Sequence, residues 1–440
     1  IPALSFYWIT ATLHEFGNIP FFIDAIMNSL YSLLLNPQYL VFIAMLAIND
    51  RYKLIDIKKW NKTGFFSFLA ALLFTSLEYF IPQQFPVMLG QPWIIFSNYL
   101  GLAAYFGLPI FSFFSYLLSF EIINFIKTRS FSQFNLMTIV LFILINPVIS
   151  TDTFKETIEF NVRLVQANIS SFLKVKSESG GYASVSQVIN RYKKLSEAPF
   201  RVPDKKMDLI VWPETAFPYP INTNKDDLSK SPVPLVFANI IRKTEANLLI
   251  GGYDHFKNNP DGTYFKTEYN SALYFDQNEK LTQLYHKHIL IPFGETLPLG
   301  PLNKWASTKL PQMAFFAEGS RHTLFETVKN IKFISSICYE ILQPEFVRSY
   351  LNAVKTRPNL MINLTNDSWY GNTVEPEQHL FLTRWRAIEF NLPILRSTNT
   401  GISTYIKANG QELDRMEYDK AGNCLLYTSD AADASLRVDL

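Results

Sequence analysis

Hydrophobic residues are distributed very differently in the two parts of this chain. Residues 1–150 contain long apolar runs, whereas charges, turns and short alternating segments return from Thr151 onward. A helix that crosses a bilayer needs roughly 17 to 25 mostly apolar residues. Stretches of this kind lie at about 21–48, 64–80, 94–118 and 134–150. The pattern predicts an N-terminal transmembrane helix bundle over 1–150, followed by a globular domain.

The basic residues between these stretches predict the orientation of the bundle. The loop at 49–63 holds five Lys or Arg residues, the loop at 81–93 holds none, and the loop at 119–133 holds two. Cytoplasmic loops are usually the basic ones. We therefore expect a multi-pass membrane protein whose globular domain lies on the outer, periplasmic face. A soluble domain with buried helical hairpins is the alternative, and the uncharged lengths argue against it.

The globular part alternates between strands and helices. Such alternation favours a layered α/β core, and we assign it to 151–423. Helices are predicted at 185–197, 344–354 and 378–390. Strands are predicted at 162–169, 207–212, 246–253, 270–275, 331–337, 360–364 and 393–398.

Composition limits the possible functions and the kind of chemistry. The formal net charge of the 440 residues is +2, which gives no sign of a nucleic-acid partner. The chain has two cysteines, Cys338 and Cys424, so a disulfide framework is not expected.

The ends of the chain have unusual features. The sequence starts at Ile1 without a Met, and no Lys or Arg precedes Arg51. Residues 424–433 read CLLYTSDAAD, which we expect to derive from a DNA-library adapter. We therefore expect 424–440 to be a non-native tail and the bundle to be truncated at its N-terminus.

A possible general base ends the predicted strand at 207–212. Residues 208–214 read DLIVWPE, so an apolar strand stops at Pro213 and presents Glu214. A carboxylate carried into a cleft in this way can accept a proton during catalysis. A Glu at an ordinary helix start, stabilised by the helix dipole, explains this segment alone equally simply.

A possible oxyanion-stabilising cation follows in 285–295, which read YHKHILIPFGE. Lys287 has apolar neighbours and can offer an ammonium to a developing negative charge. Most lysines are solvated surface groups, which is the simpler interpretation of this segment alone. His286 and His288 flank it, but two histidines make a weak zinc site.

A possible nucleophile lies in 333–340, which read FISSICYE. Cys338 ends an apolar strand and precedes a helix, where backbone N–H groups can bind an oxyanion and the helix N-terminus can lower the thiol pKa. A buried structural cysteine is the commoner alternative for a single Cys.

The ordered combination of these motifs is more specific than any one of them. WPE, then HK with PFGE, then ICYE, resembles the Glu, Lys and Cys triad of the nitrilase superfamily. The wording YHK-x-x-L-x-PFGE and ICYE-x-L resembles the apolipoprotein N-acyltransferase family within it. Residues 366–371 (NDSWYG), 386–389 (RAIE) and 396–403 (RSTNTGIS) are similar to that family too.

The resemblance implies a nitrilase-like α-β-β-α sandwich with defined residue roles. Cys338 would be the nucleophile, Glu214 the general base, and Lys287 the group that stabilises the oxyanion together with the Tyr339 backbone N–H. Further residues would support the site or line the substrate pocket: Glu295 and Glu340 as supporting carboxylates, Tyr339 at the pocket, and Trp369 and Asn366 as substrate-binding residues. No metal or other cofactor is implied.

The resemblance also implies a reaction. A membrane phospholipid would acylate Cys338, and the thioester would then pass the acyl chain to the N-terminal amine of a diacylglyceryl-cysteine on an apolipoprotein. Two departures from the family are the smaller number of spans and Val175 after Lys174, where the family commonly has Trp. The alternatives are a membrane-tethered C–N hydrolase such as an amidase, and a scaffold that only binds lipidated peptides.

Overall fold

The computed structural model describes most of the chain as two compact units. The helical unit comprises Ile1–Thr153, Thr373–Asn391 and Ala408–Gln411, and the sandwich unit comprises the remainder. The described residues are 7–10, 20–35, 37–52, 64–148, 157–158, 160–199, 206–255, 268–292, 294–297, 299–303, 305, 308, 315–426 and 438–439.

The helical unit is built from apolar helices with an aromatic core. Phe114 and Phe142 stack with ring centroids 3.7 Å apart, and Trp385 lies 5.2 Å from Phe111. The α-helices of this unit are Phe21–Leu35, Pro37–Tyr52, Phe65–Phe80, Ala103–Phe106, Pro109–Thr128, Gln133–Val148 and Glu375–Phe390, with a 3-10 helix at Gln91–Tyr99. The 375–390 helix, assigned from the sequence to the globular domain, therefore packs among the N-terminal helices.

Two of the predicted spans coincide with helices, and two are divided differently. The 65–80 and 133–148 helices match their predictions, and the first stretch contains two helices, Phe21–Leu35 and Pro37–Tyr52. The predicted 94–118 span is wrong in its limits. Gly107 adopts a left-handed φ of 66° and Pro109 opens a new helix, so the long helix runs from Pro109 to Thr128.

Membrane-length helices are few among the residues that the structure describes. One helix there, Pro109–Thr128, is long and apolar enough to cross a membrane, and the helices at 65–80 and 133–147 are apolar but shorter. Most of the basic loop, 53–63, lies outside the described residues. The bundle of four transmembrane spans therefore stays a prediction.

The sandwich unit contains two large β-sheets and a separate two-stranded sheet, with helices at Ser171–Glu178, Tyr182–Ser196, Leu235–Thr244 and Pro344–Ala353. Its strands are β1 (Thr157–Ile158), β2 (Val162–Gln166), β3 (Leu209–Trp212), β4 (Pro220–Ile221), β5 (Asn247–His255), β6 (Glu268–Phe275), β7 (Leu281–His286), β8 (Phe325–Glu326), β9 (Lys332–Ile337), β10 (Leu360–Thr365), β11 (Ile394–Thr398), β12 (Thr404–Ile406), β13 (Glu412–Leu413), β14 (Gly422–Leu426) and β15 (Val438–Asp439).

The two sheets face each other through their apolar surfaces. One has the order β14-β2-β3-β5-β6-β7, with β4 beside β5, and the other has the order β13-β12-β11-β10-β9-β8. Strands β2, β3 and β5 are parallel, as are β9, β10 and β11. The Tyr274 ring of β6 packs against Phe325 and Phe333 of the opposite sheet. The α/β sandwich expected from the sequence is confirmed.

The sequence pattern found the main strands but missed several smaller elements. The structure adds β7, the 171–178 and 235–244 helices, and the short strands after residue 403. Strand β14 pairs antiparallel with β2 and includes Cys424, which is buried. Residues 427–437 lie outside the described part, so the expected non-native tail stays a prediction.

Candidate active site

Three of the predicted site residues follow three strand ends in the sandwich unit. Glu214 lies two residues beyond β3, Lys287 directly follows β7, and Cys338 directly follows β9 of the other sheet. Two antiparallel steps, β5 to β6 and β6 to β7, make β7 run in the same direction as β3. The carboxyl ends of β3 and β7 therefore lie at the same edge of their sheet. All three residues are buried, with exposed fractions of 6%, 0% and 5% for Glu214, Lys287 and Cys338.

Lys287 lies between two carboxylates. Its Nζ is 2.8 Å from Glu295 Oε1 and 3.2 Å from Glu214 Oε1. Asn270 Nδ2 donates to Glu214 Oε1 at 2.7 Å and reaches Glu295 Oε1 at 3.4 Å. Burial works to lower the pKa of Lys287, but the charges of Glu295 and Glu214 outweigh it and raise the pKa above its usual value. Lys287 is therefore a fixed cation in the site.

Cys338 has a strained backbone and a buried thiol whose pKa is raised. Its φ of 49° lies in the left-handed region, which is uncommon for a residue with a side chain and is often found at functional sites. Burial raises the thiol pKa well above its usual value, the Glu214 charge raises it further, and Lys287 and a hydrogen bond with Thr365 oppose them. The expected lowering of this pKa is wrong, because the helix that follows is a 3-10 helix of five residues and burial dominates.

The pKa effects also show that the three groups act on one another. The charges of Glu214, Lys287 and Glu295 all shift the pKa of the Cys338 thiol, so these groups lie close to it. A thiol that stays protonated needs a base to become a nucleophile. Glu214 is a buried carboxylate in this neighbourhood and can take that proton.

Glu340 ties the Lys287 segment to the Cys338 turn. Its Oε2 accepts from Ile337 N at 2.7 Å, and its Oε1 accepts from His288 N at 2.6 Å and from Tyr285 OH at 2.8 Å. Burial raises the pKa of Glu340 to about 7, against the lowering effect of the backbone donors. The carboxyl group thus links two loops from different sheets.

The predicted substrate-binding residues occupy different environments. Asn366 is buried, and its Oδ1 accepts from Ser368 Oγ at 2.8 Å and from Asn399 Nδ2 at 3.0 Å. Trp369 is half-buried in the 3-10 helix Asp367–Tyr370, and Tyr339 is buried directly after Cys338. Their contact with substrate stays a prediction.

Polar residues that no sequence motif indicated also support the site. Asn270 contacts both carboxylates beside Lys287, and Thr365 contacts the thiol and donates to Asp367 Oδ1 at 3.0 Å. Arg396 and Asp367, both fully buried, form an ion pair at 2.6 Å. The available signal was the presence of polar residues at the ends of otherwise apolar strands, because buried polar groups need partners.

A family model gives the relationship of this chain to known proteins. The model described as carbon-nitrogen hydrolase matches residues 161–430, which include Glu214, Lys287 and Cys338. The chain belongs to this family. The match runs from the segment just before β2 to beyond β14 and supports the nitrilase-like fold.

Two curated relatives within the family carry the same name. The chain is 29% identical over 428 residues to an apolipoprotein N-acyltransferase of Bdellovibrio bacteriovorus, covering 94% of this chain and 75% of that protein. It is 31% identical over 265 residues to one of Rhizobium rhizogenes, covering 59% of this chain and 46% of that protein. The predicted resemblance to these acyltransferases is confirmed.

Among solved structures, the chain is similar to Nit3 of Saccharomyces cerevisiae, described as a member of branch 10 of the nitrilase superfamily. The match has 20% identity and a TM-score of 0.40, and it covers 61% of this chain and 89% of that structure.

Proposed function

We propose that this chain transfers an acyl group from a membrane phospholipid to the N-terminal amine of a diacylglyceryl-cysteine on an apolipoprotein. The observation that carries the proposal is a buried ion pair between Lys287 Nζ and Glu214 Oε1, at 3.2 Å, beside a buried Cys338 thiol whose pKa both charges shift. The names of the curated relatives supply the reaction class.

In the first half-reaction, Glu214 takes the proton from the Cys338 thiol as the sulfur attacks the ester carbonyl carbon of the phospholipid. The carbonyl oxygen becomes an oxyanion, and the Lys287 ammonium stabilises it. The C–O bond then breaks. The leaving lysophospholipid oxygen receives the proton from Glu214, and an acyl thioester remains on Cys338.

In the second half-reaction, the neutral α-amine attacks the thioester carbonyl carbon. Glu214 accepts a proton from the nitrogen, the C–S bond breaks, and the proton returns to the Cys338 sulfur. Covalent catalysis of this kind divides one difficult step into two easier ones. Lys287 stabilises the oxyanion again, so both halves use the same residues.

The exposed apolar side chains of the helical unit support a location in the membrane. The 133–148 helix alone exposes Met137, Ile143 and Leu144 by more than half of their surfaces. Apolar patches of that extent are unusual on soluble monomers and mark contact with lipid or another protein. We assign 1–150 to a multi-pass transmembrane bundle of the inner membrane, 151–423 to a periplasmic catalytic domain, and 424–440 to a non-native tail.

The orientation is tested with a reporter that functions only in the periplasm. A fusion after Ser150 is expected to be active and a fusion within 52–62 silent. The opposite pattern would contradict the orientation.

The mechanism is tested by incubating the full chain with phospholipid alone and analysing the peptide that carries Cys338 by mass spectrometry. We expect an acyl mass on that peptide, removable by neutral hydroxylamine. Glu214→Gln should remove the base and reduce acylation by about 100-fold or more. Cys338→Ala should abolish acylation and transfer.

Cys424→Ala is the matched control, since Cys424 is the other buried cysteine and lies outside the proposed triad. In this variant Cys338 should become acylated at the wild-type rate. Transfer that survives Cys338→Ala would exclude the thioester path. Release of ammonia from small amides, without transfer to an apolipoprotein, would favour the C–N hydrolase alternative.

A further inference from the structure

The residue after Glu214 has an unfavourable backbone conformation. Thr215 has a φ of 46°, in the left-handed region that a β-branched residue rarely adopts. On one side the turn is fixed by β5, where Gly251 O accepts from Ala216 N at 2.8 Å. The close approach requires glycine, because a Cβ on Gly251 would lie 2.1 Å from Pro213 O. Strained turns of this kind persist only where surrounding contacts hold them.

Lys174 supplies a contact from the other side. It lies on the 171–178 helix and lines the same cavity as Glu214. Its buried Nζ donates to the Thr215 carbonyl oxygen at 2.7 Å and also contacts Thr215 Oγ1. The ammonium is 3.2 Å from Glu178 Oε1. An ammonium has three hydrogens, and these three acceptors account for all of them.

The ion pair is itself anchored to the sheet. Tyr253 of β5 donates through its hydroxyl to Glu178 Oε1 at 2.5 Å. Tyr253 lies two residues from Gly251 on the same strand, so the chain of contacts starts and ends on β5. Thr215 is thus held between β5 and the 171–178 helix.

We propose that Lys174 is a positioning residue for the general base. It holds the strained Thr215 turn and thereby fixes the Glu214 carboxylate where it can take the proton of Cys338. This inference rests on the proposed function for the role of Glu214. It predicts that the loss of Lys174 slows thiol activation and leaves phospholipid binding unchanged, because the Lys174 ammonium is fully engaged within the protein.

The test measures alkylation of Cys338 by iodoacetamide in the full chain, quantified on the Cys338 peptide between pH 6 and 9. This reaction needs an activated thiol but no lipid. Misplacement of a catalytic group by about 1 Å can cost about 100-fold in rate. We expect Lys174→Met to slow alkylation at pH 7 by about 10- to 100-fold, as Glu214→Gln should also do, because each variant leaves the thiol without a correctly placed base.

Two variants separate positioning from general damage to the helix. Lys174→Arg keeps a charged donor and should restore alkylation to within about threefold of wild type. Lys176→Met removes an exposed lysine from the same helix and should have no effect. In transfer assays Lys174→Met should lower kcat with KM for phospholipid unchanged.

Alkylation of Lys174→Met or of Glu214→Gln at the wild-type rate would overturn the inference, whatever happens to transfer. If Lys174→Met does not yield folded protein, the alkylation rate of Glu178→Gln tests the inference in its place. The Glu178 side chain is partly exposed and tolerates the change. A rate about threefold lower supports the inference, and an unchanged rate overturns it. A wild-type chain that is alkylated as expected but transfers no acyl group would refute the proposed function alone.

Discussion

Replacing Lys287 with Met tests two separate effects of its ammonium group, its contribution to the free energy of unfolding and its proposed role in catalysis. The substitution keeps an unbranched apolar stem but removes the ammonium between Glu214 and Glu295. Two buried carboxylates then face each other with Asn270 as a shared donor. One of them must gain a proton or remain as an unpaired buried charge.

The expected loss of stability follows from that geometry. Removing one partner of a buried ion pair typically costs about 3 to 5 kcal/mol, because the other charge stays buried. For a domain of this size each kcal/mol lowers Tm by roughly 2 to 4 °C, so Lys287→Met should lower Tm by about 6 to 20 °C. Adding Glu295→Gln removes one of the two carboxylates and should recover about 1 to 3 kcal/mol. Activity should fall by about 100- to 1,000-fold in both variants, since neither has a cation for the oxyanion.

The assay is thermal unfolding of the detergent-solubilised chain, followed by acyl transfer at a temperature where each variant is folded. Lys329→Met is the control, because Lys329 pairs with Asp208 at 2.9 Å at a half-exposed position and should cost at most about 1 kcal/mol. The loss of stability in Lys287→Met should become smaller as the pH falls toward 5, because protonation of one carboxylate removes the repulsion between Glu214 and Glu295. A double variant no more stable than Lys287→Met would refute this electrostatic reasoning.

Two further predictions concern backbone packing and acid stability. Gly251→Ala places a Cβ 2.1 Å from the Pro213 carbonyl oxygen and should lower activity by about 100-fold. Gly252→Ala should stay active in the same transfer assay, because its Cβ would lie 3.3 Å from a flexible Leu273 methyl and 3.8 Å from Phe217 Cβ. Burial and the neighbouring His322 lower the pKa of His288 from 6.5 to about 4, so protonation favours the unfolded chain and stability falls as the pH drops from 6.5 toward 4. The free energy of unfolding should therefore differ less between pH 7 and pH 4.5 in His288→Asn than in the wild type, by about 1 to 2 kcal/mol because the ring is partly exposed. An unchanged difference would show that other groups govern the acid stability.

The order of local motifs determined much of what could be learned from this sequence alone. Glu214 and Cys338 each follow an apolar segment that ends in a turn, and such segments predict strands independently of their neighbours in space. Lys287 was indicated by its motif alone, because the strand before it, β7, has no clear apolar pattern. Most of the main strands and the identity of Glu214, Lys287 and Cys338 as candidates depend only on this local pattern. The family resemblance depends on it too, because its motifs are short and contiguous.

Only the tertiary structure decided how the site is held together. Lys174 contacts Thr215, Glu340 contacts Tyr285 and Asn270 contacts Glu214, and these partners lie 41, 55 and 56 residues away in the chain. No local pattern encodes such separations. The same applies to the Cys338 thiol. A helix start at that position predicts a lowered pKa, but the structure buries the thiol beside Glu214 and raises it. Burial and Coulomb interactions depend on every group that packs around a site, so they become readable only when the two sheets have been brought together.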